Sequence, residues 1–143
     1  MPGPPNIWIS LTLVFLGGGL GSVGRYLIAG LDHHLNRGPF PFGTLAVNLL
    51  GCGLIGLAFA WIQGGRVPET NQASDREAWR LFLMIGVLGG FTTFSSFGLE
   101  AVRLLQDGHH ARAIVYVLAS NLGGVLLAWG GFSAGSRVFA PSG

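Results

Sequence analysis

Four long stretches of this chain, residues 1–24, 38–65, 81–99 and 113–136, carry no Asp, Glu, Lys or Arg. A helix needs roughly 20 apolar residues to cross a hydrocarbon core of about 30 Å, and each stretch has that room. In lipid every backbone N–H and C=O needs a partner within the protein, which leaves helices as the natural way for such segments to span. The spacing therefore predicts an all-α integral membrane protein. Its four transmembrane helices fall near residues 7–30, 42–63, 78–104 and 111–136, in a single domain over 1–143.

Composition agrees: charged residues make up 10% of the chain, against about 25% in ordinary soluble domains, and mean hydropathy is +0.55. Glycine occurs 25 times without a collagen-like period, which points to helices packed closely in lipid. The basic residues are all Arg and are scattered singly, so no basic stripe for nucleic acid exists. Cys52 is the only cysteine, which excludes an intrachain disulfide. Residues 1–5 lack a basic n-region, so the segment from Ile7 is predicted as a first span rather than a cleaved signal. Trp8, Trp61, Trp79 and Trp129 lie close to predicted span ends, as interfacial aromatics do.

Arg normally sets orientation. Here Arg66, Arg76, Arg80 and Arg137 fall on the side with both termini, and Arg25, Arg37, Arg103 and Arg112 on the other. That balance predicts dual topology and an antiparallel pair, the other reading being that one loop charge, or the depth of Arg25, tips the orientation. In the polar loop 64–77, Ser74 and Glu77 have capping-box spacing, which predicts that the third helix starts there.

Polar groups inside spans are costly in lipid and are the best functional leads. Gly17, Gly21 and Arg25 recur every fourth residue on one face of the first helix, where the glycines let another backbone approach. Arg25 has two readings: it snorkels to the interface, or it faces an aqueous vestibule and attracts anions. The run Gly19-Leu20-Gly21-Ser22-Val23-Gly24 matches a dinucleotide fingerprint by accident, because no acid occurs between Asp32 and Glu69 and no strand precedes it. His33-His34 and His109-His110 read as solvated loop pairs without metal-ligand partners.

Asn48, in mid-span on the second helix, is either interhelical glue or an amide donor to an anion. In the third span, Gly89-Gly90 followed by Thr92-Thr93 is poor helix interior, which predicts a break at mid-span whose freed carbonyls suit a small cation such as Na+. Phe94 and Phe97 share one face beyond it, either as packing or with electropositive ring edges turned to an anion. Ser95 and Ser96 add hydroxyls nearby, and Glu100 reads as a rim residue that closes the helix. On the fourth helix Tyr116, Ser120 and Gly124 recur every fourth residue with Asn121 alongside, forming a short polar stripe.

These segments, Gly21-Ser22-Val23-Gly24-Arg25-Tyr26, Gly43 to Gly51 with Thr44 and Asn48, and Gly89 to Phe97, resemble the Fluc/CrcB family of small bacterial fluoride channels over essentially the whole chain. The resemblance implies a dual-topology homodimer in the bacterial inner membrane with two antiparallel fluoride pores and no enzymatic chemistry. It also implies a structural Na+ at the dimer centre, held by main-chain carbonyls of Gly89 and Thr92. Asn48, Phe94, Phe97, Ser95, Tyr116 and Ser120 then match pore positions, and Arg25 matches a vestibule arginine. Gly124 departs from the pattern, since another hydroxyl is expected one turn beyond Ser120. The implied activity is passive export of fluoride, driven by the membrane potential, which protects the cell from fluoride toxicity. A small proton-coupled multidrug antiporter is the alternative of another class; it needs a membrane-embedded carboxylate, and the stretch 1–24 holds none.

Overall fold

The computed structural model describes residues 6–35, 38–64 and 72–139, and among them the side chains other than those of residues 33–35, 72 and 73. The stretch 1–5, Arg37, Arg66 and the side chains of His33 and His34 lie outside the described residues. Helix α1 (Ile7–Leu35) is followed by α2 (Phe42–Gln63), then by α3 (Gln72–Trp79), which runs on into a π-helical segment, Arg80–Leu88, and one helical turn, Gly89–Phe91. After Thr92 and Thr93 come α4 (Phe94–Gln106) and α5 (His110–Phe139). Four helical stretches, Ile7–Asp32, Phe42–Gln63, Ser74–Gln106 and His110–Phe139, are long and apolar enough to cross a membrane.

Several boundaries differ from the sequence expectation. α1 continues to Leu35, so His33 and His34 lie in its last turn and not in a loop. α3 begins at Gln72, ahead of Ser74, which puts Ser74 inside the helix and removes its capping role; Asp75 instead places an acidic residue in the first turn, where the helix dipole favours it. Glu100 does not close a helix, because α4 runs on to Gln106.

The two glycines expected to break the third span are helical. Gly89 has φ −65° and ψ −38°. The extended residues are Thr92 (φ −80°, ψ 157°) and Thr93 (φ −148°, ψ 124°). Gly90 serves packing: a Cβ built there would lie 2.5 Å from the carbonyl oxygen of Gly18.

α1 packs along the π-helical segment and the turn after it, and α2 packs along α5. The predicted Gly17/Gly21 face makes the first contact. A Cβ on Gly17 would lie 3.0 Å from the Gly86 Cα, and one on Gly21 would overlap the Val87 carbonyl. Dispersion between backbones at that range, without side-chain entropy to lose, is what holds helices together where lipid offers no hydrophobic drive.

α4 ends in a paired cap: Gly108, at φ 77°, donates its N–H to Leu105 O (3.1 Å), and His109 donates to Leu104 O (2.8 Å). This Schellman arrangement turns the chain sharply into α5. Leu104, Ala113 and Tyr116 are buried there with Phe40, Leu45, Phe97 and Ala101 around them. Elsewhere large apolar side chains face outward, among them Phe15 (79% exposed), Trp129 (69%) and Phe94 (82%). A surface this apolar requires lipid or protein against it.

Candidate functional site

The site is built around Thr92 and Thr93. Thr92 returns both its N–H and its hydroxyl to the Leu88 carbonyl, each at 3.0 Å, which closes the end of the preceding helical turn. Thr93 caps α4: its Oγ1 accepts from the Ser96 N–H at 3.2 Å and donates to Ser96 Oγ at 3.1 Å, with Ser95 Oγ at 3.3 Å. That leaves the Thr93 backbone groups, and Asn48 takes both. Its Nδ2 donates to Thr93 O at 3.0 Å and its Oδ1 accepts from Thr93 N at 2.8 Å. The interruption is thus clamped to α2 by one amide, with the second N–H of Nδ2 left over.

Gly51, one turn along α2, leaves room for the Thr92 methyl, which a Cβ at 51 would overlap. On the other side Ser22 of α1 donates to Gly90 O at 3.4 Å. Among the described residues no three His, Cys, Asp or Glu side chains gather where a metal could sit. A cation at this place would be held by backbone and hydroxyl oxygens.

Thr93 lies in the wall of two cavities. One, of about 280 Å³, is also lined by Asn48, Cys52, Phe94, Phe97 and Ser120. The other, of about 400 Å³, is lined by Ser22, Arg25, Thr44, Ser96 and Glu100. In the first, the Ser120 hydroxyl is buried with no protein partner. In the second, Arg25 Nε is buried without one. An unpaired buried donor costs roughly 1–3 kcal/mol unless something occupies it, so both point to solvent or an anion.

Glu100 sits between three elements. Its Oε1 accepts from Thr44 Oγ1 and its Oε2 from Tyr116 OH, both at 2.7 Å. Tyr116 is fully buried and Thr44 is 8% exposed. Glu100 itself is half-buried in the wall of the larger cavity, and beyond the rim position expected of it, it ties α4 to α2 and α5. The stripe on α5 is divided by function: Tyr116 is committed to Glu100, Ser120 faces the cavity, and Asn121 donates to Val117 O of its own helix at 2.7 Å.

Phe94 and Phe97 share a face as their spacing predicts, with ring centroids 5.5 Å apart. They are not equivalent. Phe97 also packs on Tyr116 at 5.3 Å, whereas Phe94 is 82% exposed. The expectation gave Thr44, Thr93 and Cys52 no place in the site's lining, where the structure puts them. The signal for two of them was present: Thr44, Asn48 and Cys52 recur every fourth residue and so share a face of α2.

Residues 12–132 match the family described as CrcB-like protein, Camphor Resistance (CrcB). Among curated relatives, the Fluoride-specific ion channel FluC of Agrobacterium fabrum is 41% identical over 131 residues, covering 92% of this chain and 99% of the relative. The protein of that name from Phocaeicola vulgatus is 43% identical over 117 residues, covering 82% and 90%. That from Gloeobacter violaceus is 41% identical over 123 residues, covering 85% and 92%. Together with four membrane-length apolar helices, these matches establish that the chain is a multi-pass membrane protein of the CrcB family.

Proposed function

We propose that this protein is a fluoride-selective channel that lets the anion leave the cytoplasm passively, acting as an antiparallel homodimer in the bacterial inner membrane. The observation that carries this reading is the smaller cavity: a ring pair, Phe94 and Phe97, shares its wall with a buried hydroxyl on Ser120 that has no partner. Aromatic ring edges are electropositive and turn toward an anion without binding it tightly. Hydroxyl and amide donors replace part of the hydration shell, and among the described residues no Lys or Arg side chain stands in this cavity's wall to trap the anion. Asn48 takes part through its second N–H and, as importantly, by holding the helix interruption open. In this reading Ser95, beside the Thr93 cap, adds a hydroxyl donor, and Ser120, with Tyr116 one turn before it, continues the path along α5. Arg25 raises the anion concentration in the larger cavity.

The interruption at Thr92 and Thr93 lies at mid-membrane in this reading. The carbonyls of Gly89 and Thr92, which flank it, hold a structural Na+ between subunits. The balance of Arg residues and the outward apolar faces, Phe94 above all, support a second copy inserted upside down.

The test is fluoride efflux from liposomes, read with a fluoride-selective electrode, with Na+ and with Na+ replaced. Fast fluoride efflux without comparable chloride efflux supports the reading; equal efflux of both anions overturns selectivity. Proton-driven transport of a cationic drug without fluoride efflux would instead favour the antiporter.

A further inference from the structure

The polar positions of α2 and α5 run in parallel register. Thr44 and Tyr116 meet at the Glu100 carboxylate. One turn on, Asn48 and Ser120 line the smaller cavity with the two phenylalanines. One turn further are Cys52 and Gly124. There α5 has no side chain, and a Cβ built on Gly124 would lie 3.2 Å from Cys52 Sγ. The thiol thus stands against the place that a side chain at 124 would take, while also lining the cavity that holds the unpartnered Ser120 hydroxyl.

We infer that Cys52 is a pathway donor, its S–H supplying from α2 the contact that α5 cannot supply at Gly124. This deepens the fluoride-channel reading and rests on it. A thiol is neutral and only a weak donor, so it passes an anion on from Ser120 without holding it. The same geometry explains why the two positions are coupled. A Cβ at 124 would press on the sulfur at 3.2 Å, so a hydroxyl-bearing residue there and the thiol would share one stretch of the wall.

The experiment compares fluoride efflux from liposomes carrying the unsubstituted protein, Cys52→Ala, Cys52→Ser, and Cys52→Ala combined with Gly124→Ser. Loss of a weak hydrogen bond at the anion predicts a fall in efflux on the order of fivefold to tenfold for Cys52→Ala. Cys52→Ser is expected to keep the parental rate within about twofold, a donor being retained. The double variant, which moves the donor back to α5, is expected to recover most of the loss, and a purely structural role for Cys52 gives no reason for such rescue. As a measure independent of folding, methyl methanethiosulfonate added to the finished liposomes should block the unsubstituted protein and leave Cys52→Ser conducting.

Unchanged efflux in Cys52→Ala overturns the inference, as does a loss that Gly124→Ser does not repair in a well-folded dimer. If the alanine variant fails to fold, conduction that survives thiol capping overturns it. Absence of efflux from the unsubstituted protein refutes the channel reading itself, and this inference with it.

Discussion

Replacing Asn48 by alanine removes both ends of the clamp on the interrupted helix. Thr93 would lose the acceptor for its N–H, now at 2.8 Å, and the donor to its carbonyl, now at 3.0 Å. Each backbone group left without a partner costs about 1–3 kcal/mol, so the pair sets a range of about 2–6 kcal/mol. Asn48 and Thr93 are only half-buried and border a cavity, so water reaches the vacated space and holds the cost near the lower end, about 2–3 kcal/mol. Even that lower end shifts the folding equilibrium by a factor of about 30.

The assay is unfolding of the purified protein in mixed micelles by added denaturing detergent, followed by tryptophan fluorescence. Asn121→Ala is the control, because Asn121 is exposed and its amide bonds only within its own helix; it is expected to change stability by less than about 0.5 kcal/mol. An Asn48→Ala protein within about 1 kcal/mol of the parent would refute the clamp, since two half-buried backbone groups that exchange the amide for water are still expected to cost about 2 kcal/mol.

Gly21→Ala is expected to lower stability by about 1–3 kcal/mol or more, because the new methyl meets the Val87 carbonyl and Phe91 N–H, backbone atoms that no rotamer change can move. Gly30→Ala, with nothing within 4 Å, should be neutral or stabilising in the same detergent-unfolding assay. Tyr116→Phe withdraws one of the two hydroxyls from Glu100 and is expected to cost about 1.5–3 kcal/mol and to slow fluoride efflux; parental stability and efflux together would sink the carboxylate's proposed place. Phe94→Ile and Phe97→Ile should both suppress efflux. Only the second should clearly destabilise, by about 0.5–1.5 kcal/mol, because Phe97 has Tyr116 as a second ring neighbour. Equal destabilisation by the two would contradict that asymmetry.

The sequence was most legible where one residue's chemistry suffices. A formal charge is costly in hydrocarbon wherever the chain lies, so the uncharged stretches marked the four membrane-length helices without knowledge of their packing. A four-residue glycine recurrence marks a helix face by geometry alone, and Gly17 and Gly21 do meet another backbone. Phe94 and Phe97 share their face for the same reason.

Positions whose role depends on what stands opposite were not legible. Gly89 and Gly90 have the propensity to break a helix, yet both are helical, and Gly90 packs against Gly18 of α1. The extended residues are Thr92 and Thr93, because only there does Asn48 offer partners for the freed backbone. Nothing in the neighbourhood of Glu100 along the chain says that Thr44, 56 residues away, and Tyr116 converge on it. Cys52 was an isolated thiol until Gly124 stood beside it. Local propensity and charge decided what crosses the membrane; the pairing of buried polar groups across helices, where each unpaired group carries a penalty, decided where the helix opens and what lines the opening.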